Sequence, residues 1–113
     1  DVCSSDLTNR VLVYDFDTDT VNEPFAALLA EARPMTLTEG RARLLPDGGL
    51  FVEDTTNGRL LRFTADRLLW SRVNDFDERR IGFLSWSRYL TATEADAPLR
   101  ALASSACGAA PAH

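Results

Sequence analysis

The sequence predicts an all-β fold whose central unit is a four-stranded antiparallel sheet. Short segments rich in apolar and β-branched residues alternate with tight-turn signals over residues 40–73. Their spacing is about ten residues per strand, which is typical of sandwiches, barrels and propellers. Several segments also carry apolar residues at consecutive positions, and this pattern predicts strands that are covered on both faces.

The N-terminal part predicts a strand, a turn, a second strand and a short helix. Residues 11–16 are rich in β-branched and aromatic side chains, and the turn signal at residues 17–20 separates them from another extended piece. Residues 24–32 favour a short helical insertion, because apolar side chains recur at helical spacing behind a proline. We expect this helix to end before Pro34.

Residues 40–73 are the most regular part of the chain, with strands predicted at 40–45, 50–53, 59–64 and 67–73. The intervening turns contain Pro, Asp, Asn and Gly, and Asn57-Gly58 suits a positive φ. A blade of a β-propeller is flanked by a blade on each side, so both of its faces are covered. The sequence therefore predicts a partial β-propeller: one complete four-stranded antiparallel blade with parts of its neighbouring blades.

The C-terminal part predicts less regular structure. Residues 74–80 form a charged loop, and the aromatic-rich residues 81–90 predict one more strand. Residues 92–113 are an Ala-rich tail that we expect to be mostly disordered, with a marginal helix at residues 97–103.

A single blade without its neighbours is expected to behave poorly in solution. It would expose an apolar face that contains Leu50, Phe51, Leu61 and Trp70. Open strand edges beside such a face invite association between chains. We therefore expect residues 8–113 to associate rather than to unfold as a monomer in a sharp, reversible transition.

The charge balance argues against two classes of partner. The net charge is −5, which disfavours non-specific binding to nucleic acid and to anionic membranes. No apolar run approaches the ~20 residues that cross a bilayer. The chain has 12 arginines and no lysine, a bias typical of a GC-rich bacterial genome.

The turn at residues 54–59 resembles the repeat of NHL-type propellers. Asp54, Asn57 and Arg59 stand where that family has its Asp-Thr-x-Asn-x-Arg pattern, in the turn that joins two strands of a blade. Asp54 and Arg59 can pair across the turn, and Asn57 tolerates a left-handed backbone conformation. We predict a structural role in the turn for these three residues.

A longer stretch resembles the last blades of arylsulfate sulfotransferase-like propellers, a PQQ- or NHL-like type. The resemblance covers roughly residues 10–91 and rests on Thr38-Glu39-Gly40-Arg41, Leu45-Pro46-Asp47-Gly48, residues 53–63, Leu68-Leu69-Trp70 and residues 85–90. It implies an exported protein, periplasmic or secreted, that transfers a sulfuryl group from a phenolic sulfate ester to a phenol. Small aryl sulfates or phenols and the remaining blades would be its partners, with no cofactor.

In that family, transfer is thought to pass through a sulfated histidine, which needs a neutral imidazole as nucleophile and cationic groups for the sulfuryl oxygens. His113 matches no motif, so the resemblance implies that the catalytic histidine lies upstream and that this sequence alone is inactive. The alternatives are a non-enzymatic NHL-type propeller that binds a ligand or protein, and a propeller hydrolase or lyase with a metal in its channel.

The predicted organisation has three parts. Asp1–Leu7 resemble the translation of a sequencing-library adapter, so residues 1–7 are taken as an artefactual or disordered leader. Residues 8–91 are the C-terminal blades, and residues 92–113 are the tail. Without the leader only Cys107 remains, and one cysteine forms neither an internal disulfide nor a structural zinc cluster.

Three side chains are candidate substrate contacts, and no catalytic or metal-binding residue is predicted. Glu39 and Arg41 are two residues apart on a predicted strand and share a face, from which they could enter the funnel of a propeller. The alternative is a rim salt bridge worth less than ~1 kcal/mol. Arg88 could stack on a neighbouring ring and bind an anion, or could simply be an exposed side chain.

Overall fold

The computed structural model describes residues 9–105, which fold mainly into antiparallel strands. The predicted leader, Cys107 and His113 lie outside the described residues. The elements in chain order are β1 (Val13–Asp15), β2 (Thr20–Asn22), α1 (Ala26–Ala32), β3 (Arg41–Leu44), β4 (Leu50–Asp54), β5 (Arg59–Phe63), β6 (Leu68–Val73), β7 (Asp75–Asp77), β8 (Arg80–Ile81) and α2 (Ala92–Ser104).

The predicted four-stranded meander is confirmed. β3, β4, β5 and β6 pair in sequence order, and every pairing is antiparallel. β1 pairs with β2 and β7 pairs with β8 in separate two-stranded sheets. None of the sheets formed by residues 9–105 closes into a barrel.

Helix α1 covers one face of the central sheet. Side chains alternate between the two faces of a strand, so Leu50 and Val52 of β4 share a face with Leu61 and Phe63 of β5. All four are buried. Phe25, the N-cap of α1, and Leu29, within the helix, pack against them. The predicted helical insertion is therefore present, and with its N-cap it supplies two of the six buried residues of the core.

The opposite face is covered by an irregular segment, residues 82–91. The ring of Tyr89 lies 5.4 Å from that of Phe51. The guanidinium of Arg62, which is buried, lies 5.6 Å from the Tyr89 ring centroid. The consecutive apolar residues of β4 thus correspond to two covered faces, and the covering elements in residues 9–105 are a helix and a loop of the same chain.

The predicted exposure of an apolar face is wrong for three of its four residues. Leu50 and Leu61 are 0% exposed and Phe51 is 4% exposed. Trp70, in contrast, is 38% exposed, and every residue of β6 is exposed. The radius of gyration is 18.0 Å, which is larger than the ~13 Å of a compact domain of similar length. The fold is therefore more extended than a compact domain, and this agrees with the exposure of β6.

The strand predicted at residues 81–90 is wrong beyond Ile81. Residues 82–91 form no ladder, and two of them bond instead to side chains of the central sheet. Ser87 donates to Glu53, and the carbonyl of Tyr89 accepts from Arg43 at 2.7 Å. The charged loop predicted at residues 74–80 contains β7 and the first residue of β8, which pair as a small two-stranded sheet.

Helix α2 corrects the prediction of a mostly disordered tail over residues 92–104. It begins at Ala92, five residues before the predicted marginal helix. Thr91 and Glu94 form a capping box: the Thr91 side chain accepts from the Glu94 N–H, and the Glu94 carboxylate accepts from the Thr91 N–H. These bonds satisfy helix-end groups that would otherwise need water, so the first turn is well defined.

Candidate functional site

A cleft of 340 Å³ lies beside β3, between the loop that precedes this strand and the face of β4. Its lining includes Thr36, Thr38, Glu39, Arg41 and Glu53. A smaller space of 190 Å³ adjoins it, bounded by Glu39, Arg41, Glu53 and the indole of Trp86. The larger volume is at the lower end of the range of small-molecule pockets, about 300–1,000 Å³.

The β3–β4 hairpin sets the position of Arg41 and Glu53. Its turn closes where the N–H of Leu45 donates to the carbonyl of Gly49 at 2.8 Å. Gly48 adopts a φ of 79° in this turn. The resulting register places Arg41 directly opposite Glu53, so both side chains project from the same face of the sheet.

Glu53 is a buried carboxylate, 2% exposed. Its Oε2 accepts hydrogen bonds from both the N–H and the hydroxyl of Ser87. A buried carboxylate is costly unless such donors satisfy it. Glu53 therefore holds the loop that carries Trp86 against the sheet.

Arg41 stacks on Trp86, with its guanidinium carbon 4.1 Å from the ring centroid. Arg41 forms no ion pair with any residue between 9 and 105. Trp86 is 75% exposed and has a φ of 66°, a conformation that is unfavourable for a bulky residue. The site thus presents a cation and an open aromatic surface side by side.

Glu39 reaches the same cleft, although it precedes β3 instead of lying on it. Its Oε2 accepts from the hydroxyl of Ser85 at 2.6 Å. The loop beside Glu39 packs closely, because a Cβ on Gly40 would lie 2.6 Å from Cγ2 of Thr36. The structure brings Glu39 and Arg41 to one cleft, through a loop and a strand and not through a shared strand.

Arg88 lies away from this cleft. Its side chain is exposed and forms no ion pair within residues 9–105. The rings on either side of Arg88 in sequence are contacted by other arginines: Trp86 by Arg41 and Tyr89 by Arg62.

Asp54 is the centre of a second polar cluster, on the opposite face from Glu53. It is 0% exposed and accepts hydrogen bonds from Asn57 Nδ2 at 3.0 Å and from Arg59 Nε at 2.8 Å. The backbone N–H of Met35 donates to it at 2.9 Å. The left-handed residue of this turn is Gly58, with φ 57°, and not Asn57.

Helix α2 is attached to the sheet close to Tyr89. Arg43 Nη2 donates to Glu94 Oε1 at 2.9 Å, and its Nη1 donates to the Tyr89 carbonyl. The hydrogen bond from Arg43, with the N–H of Thr91 next in importance, lowers the pKa of Glu94 to about 2. The carboxylate is therefore charged throughout the physiological range.

Two further classes of feature are absent from residues 9–105. No group of three or more His, Cys, Asp or Glu side chains in this part of the chain could hold a metal ion. No helix there is both long and apolar enough to span a membrane.

Comparisons with protein-family models, with curated proteins and with solved structures found no match to this chain.

Glu53 and Trp86 are members of the cleft that the sequence pattern did not reveal. Glu53 adjoins Asp54 in sequence and looks like part of the same turn, although adjacent residues of a strand point to opposite faces. Counting outward from the turn at Leu45 and Gly49 would have placed Glu53 opposite Arg41. Trp86 carried no such signal, because its position depends on an irregular loop.

Proposed function

We propose that the central sheet is one blade of a β-propeller, and that the chain forms the C-terminal part of an exported arylsulfotransferase-like protein. Such a protein transfers a sulfuryl group from a phenolic sulfate ester to a phenol. Support comes from the antiparallel meander together with the Asp54, Asn57 and Arg59 turn that resembles propeller repeats. The remaining blades would be contributed by other parts of the same protein, and they would pack outside α1 and residues 82–91, which cover the two faces of the central sheet.

The observation that carries the proposal is the pairing of Arg41 with Trp86 at the cleft. An aryl sulfate combines a flat aromatic ring with an anionic sulfate group. An exposed indole can stack on the ring, and a guanidinium can donate two parallel hydrogen bonds to sulfate oxygens. The site matches both halves of this ligand.

The described residues would bind substrate and leave the chemistry to another part of the protein. Transfer requires a neutral nucleophile that takes the sulfuryl group while the phenolate leaves. Arg41 would stabilise charge on the sulfuryl oxygens. We assign the nucleophile to a histidine outside this sequence, as the resemblance implies.

The second candidate is a non-enzymatic NHL-type propeller that binds a ligand or protein. The observation in its favour is the charge of the cleft. In the smaller space beside Trp86, Glu39 and Glu53 place two carboxylates next to Arg41, which offsets the attraction for a sulfate. A neutral or zwitterionic ligand would experience no such penalty.

Ligand binding separates the two candidates. Titration of the chain with 4-nitrophenyl sulfate and with neutral 4-nitroanisole, followed by calorimetry, would give both affinities. The transferase proposal expects tighter binding of the sulfate ester and a loss of about ten- to a hundredfold in Arg41→Ala, because charge-assisted hydrogen bonds contribute about 1.5–3 kcal/mol. Arg67→Ala, which removes an exposed arginine elsewhere, is the matched control.

The two sets of affinities lead to different conclusions. Equal affinity for both compounds, with no effect of Arg41→Ala, would remove the sulfate ester as ligand and leave the binding module. Preference for the ester that Arg41→Ala abolishes and Arg67→Ala preserves would justify a transfer assay on the longer protein.

A further inference from the structure

β6 is an edge strand, and its outer edge is unpaired within residues 9–105. Its residues are all exposed. Four of them are large and apolar, with exposed fractions between 38% and 47%: Leu68, Leu69, Trp70 and Val73. Proteins usually protect such an edge with lysine, proline, a bulge or a short strand. β6 is the longest strand described, and its pairing with β5 is irregular only at Leu69, so residues 70–73 form a regular edge.

The pairing of β6 with β5 shows which backbone groups point outward. The N–H of Asn74 donates to the carbonyl of Gly58 at 2.7 Å. In an antiparallel ladder, hydrogen-bonded and non-hydrogen-bonded residues alternate along the strand. Trp70 and Arg72 therefore bond towards β5, and the N–H and C=O groups of Ser71 and Val73 point away from the sheet.

The outward edge is self-complementary about Ser71. When a second strand of the same sequence runs antiparallel with Ser71 opposite Ser71, Trp70 lies opposite Arg72. The interface then contains two Trp70–Arg72 pairs, each of which places a cation beside an aromatic ring. Val73 comes opposite Leu69, the residue at which the β5–β6 register shifts, so this aliphatic contact does not set the register.

We propose that a second copy of this chain binds along β6, with Ser71 opposite Ser71. The central sheets of the two copies then join into one continuous sheet. Ser71 and Val73 supply the new ladder bonds, and the Trp70–Arg72 pairs fix the register. The contact is isologous, so it closes as a dimer and does not propagate along this edge. The proposal depends on the sheet alone, whatever the function of the cleft.

Cross-linking tests the register directly. Cys3→Ser and Cys107→Ser would first remove the native thiols, and Ser71→Cys would then be oxidised mildly. Opposed Cα atoms in a hydrogen-bonded pair are about 5.5 Å apart, within the range of a disulfide. We expect rapid covalent dimers from Ser71→Cys and few from Thr93→Cys, an exposed control on α2. Equal rates at the two positions would overturn the proposal.

Sedimentation of the chain tests the interface itself. The cysteine-free chain is expected to sediment as a dimer at tens of micromolar. Trp70→Ala and Arg72→Ala should each weaken the dimer about tenfold, since each removes two cation–π contacts. Arg72→Ala should add little to Trp70→Ala, whereas Arg100→Ala, which removes an exposed arginine on α2, should have no effect. A monomer at all concentrations, or fully additive losses, contradicts the proposal.

Ser71→Pro provides a blocking variant that spares the β5 ladder. Its missing N–H is one that points outward, and an edge strand tolerates proline at such a position. We expect a folded monomer, judged by circular dichroism and sedimentation. A dimer that persists in folded Ser71→Pro would show that another surface mediates association.

Discussion

Arg59 lies across the β4–β5 turn from Asp54, with its Nε 2.8 Å from the buried carboxylate. The same guanidinium donates through Nη2 to the carbonyl of Ala32 at 2.9 Å, at the end of α1. One side chain therefore joins a turn of the sheet to the helix that covers it. The turn motif therefore has a structural role in this chain: it fixes α1 over the core.

Removal of the Asp54 carboxylate should destabilise the fold strongly. Asp54→Ala leaves the Met35 N–H and the Arg59 guanidinium without their acceptor, and loss of one partner of a buried pair is worth about 3 kcal/mol. Urea denaturation would measure the change in free energy of unfolding. Glu31→Ala, an exposed acidic residue on α1, should change it by less than ~0.5 kcal/mol. Similar values for the two variants would contradict this role.

Ser87 should control the loop that covers the second face. In Ser87→Ala the buried carboxylate of Glu53 loses its hydroxyl donor, which should speed amide exchange over residues 85–91 by about tenfold. Ser85→Ala is the comparison, because Ser85 bonds to Glu39, which is exposed. Hydrogen exchange followed by mass spectrometry separates the two, and equal acceleration would show that the Ser87 bond is not decisive.

The attachment of α2 should depend on acid pH. The pKa of Glu94 falls from 4.5 to about 2 in the folded state. A carboxylate with a lowered pKa stabilises the fold fully above its unfolded value, and this contribution is lost as pH falls. We therefore expect α2 to loosen between pH 4.5 and 2, seen as lost ellipticity at low pH. Glu94→Gln should remove the transition in that window, and an unchanged curve would refute the assignment.

Alanine substitutions at two turn glycines, Gly48 and Gly58, should distinguish the cost of backbone strain from the cost of a steric clash. Gly48 has φ 79°, and a Cβ added there would meet no atom within 4 Å beyond its chain neighbours. At Gly58, φ 57°, a Cβ would lie 2.5 Å from the Gly82 carbonyl oxygen. Gly48→Ala should cost about 1–2 kcal/mol from the left-handed backbone alone. Gly58→Ala should cost roughly twice as much, because Gly82 must also move. Equal costs in thermal unfolding would mean that the Gly82 loop yields freely.

The central sheet could be predicted because its information is local. Gly48 and Gly58 mark turns of fixed geometry, and the turn at Leu45 and Gly49 sets the register of β3 and β4. The run of apolar residues in β4 also indicated that both faces of this strand are covered. The elements that cover them could not be predicted, because they are placed by contacts between residues far apart in sequence.

The segment at residues 82–91 shows where propensity fails. Its aromatic residues favour a strand, but Trp86 has a left-handed backbone and Ser87 bonds to a buried carboxylate 34 positions away. Neither constraint appears in a local pattern. The cleft therefore could be predicted only in part: Glu39 and Arg41 were found, and Trp86 was not.

The sequence separation of these contacts also orders the assembly of the protein. β4 and β5 meet through a short turn, whereas Arg43 reaches Glu94 across 51 positions. Closing a long loop costs more chain entropy and has to wait for a surface on which to dock. We expect residues 82–91 to dock last during folding and to open first under stress. Because Trp86 belongs to this segment, a chain can hold a native sheet and an unformed cleft, and nascent or partly unfolded molecules would be unable to bind ligand there.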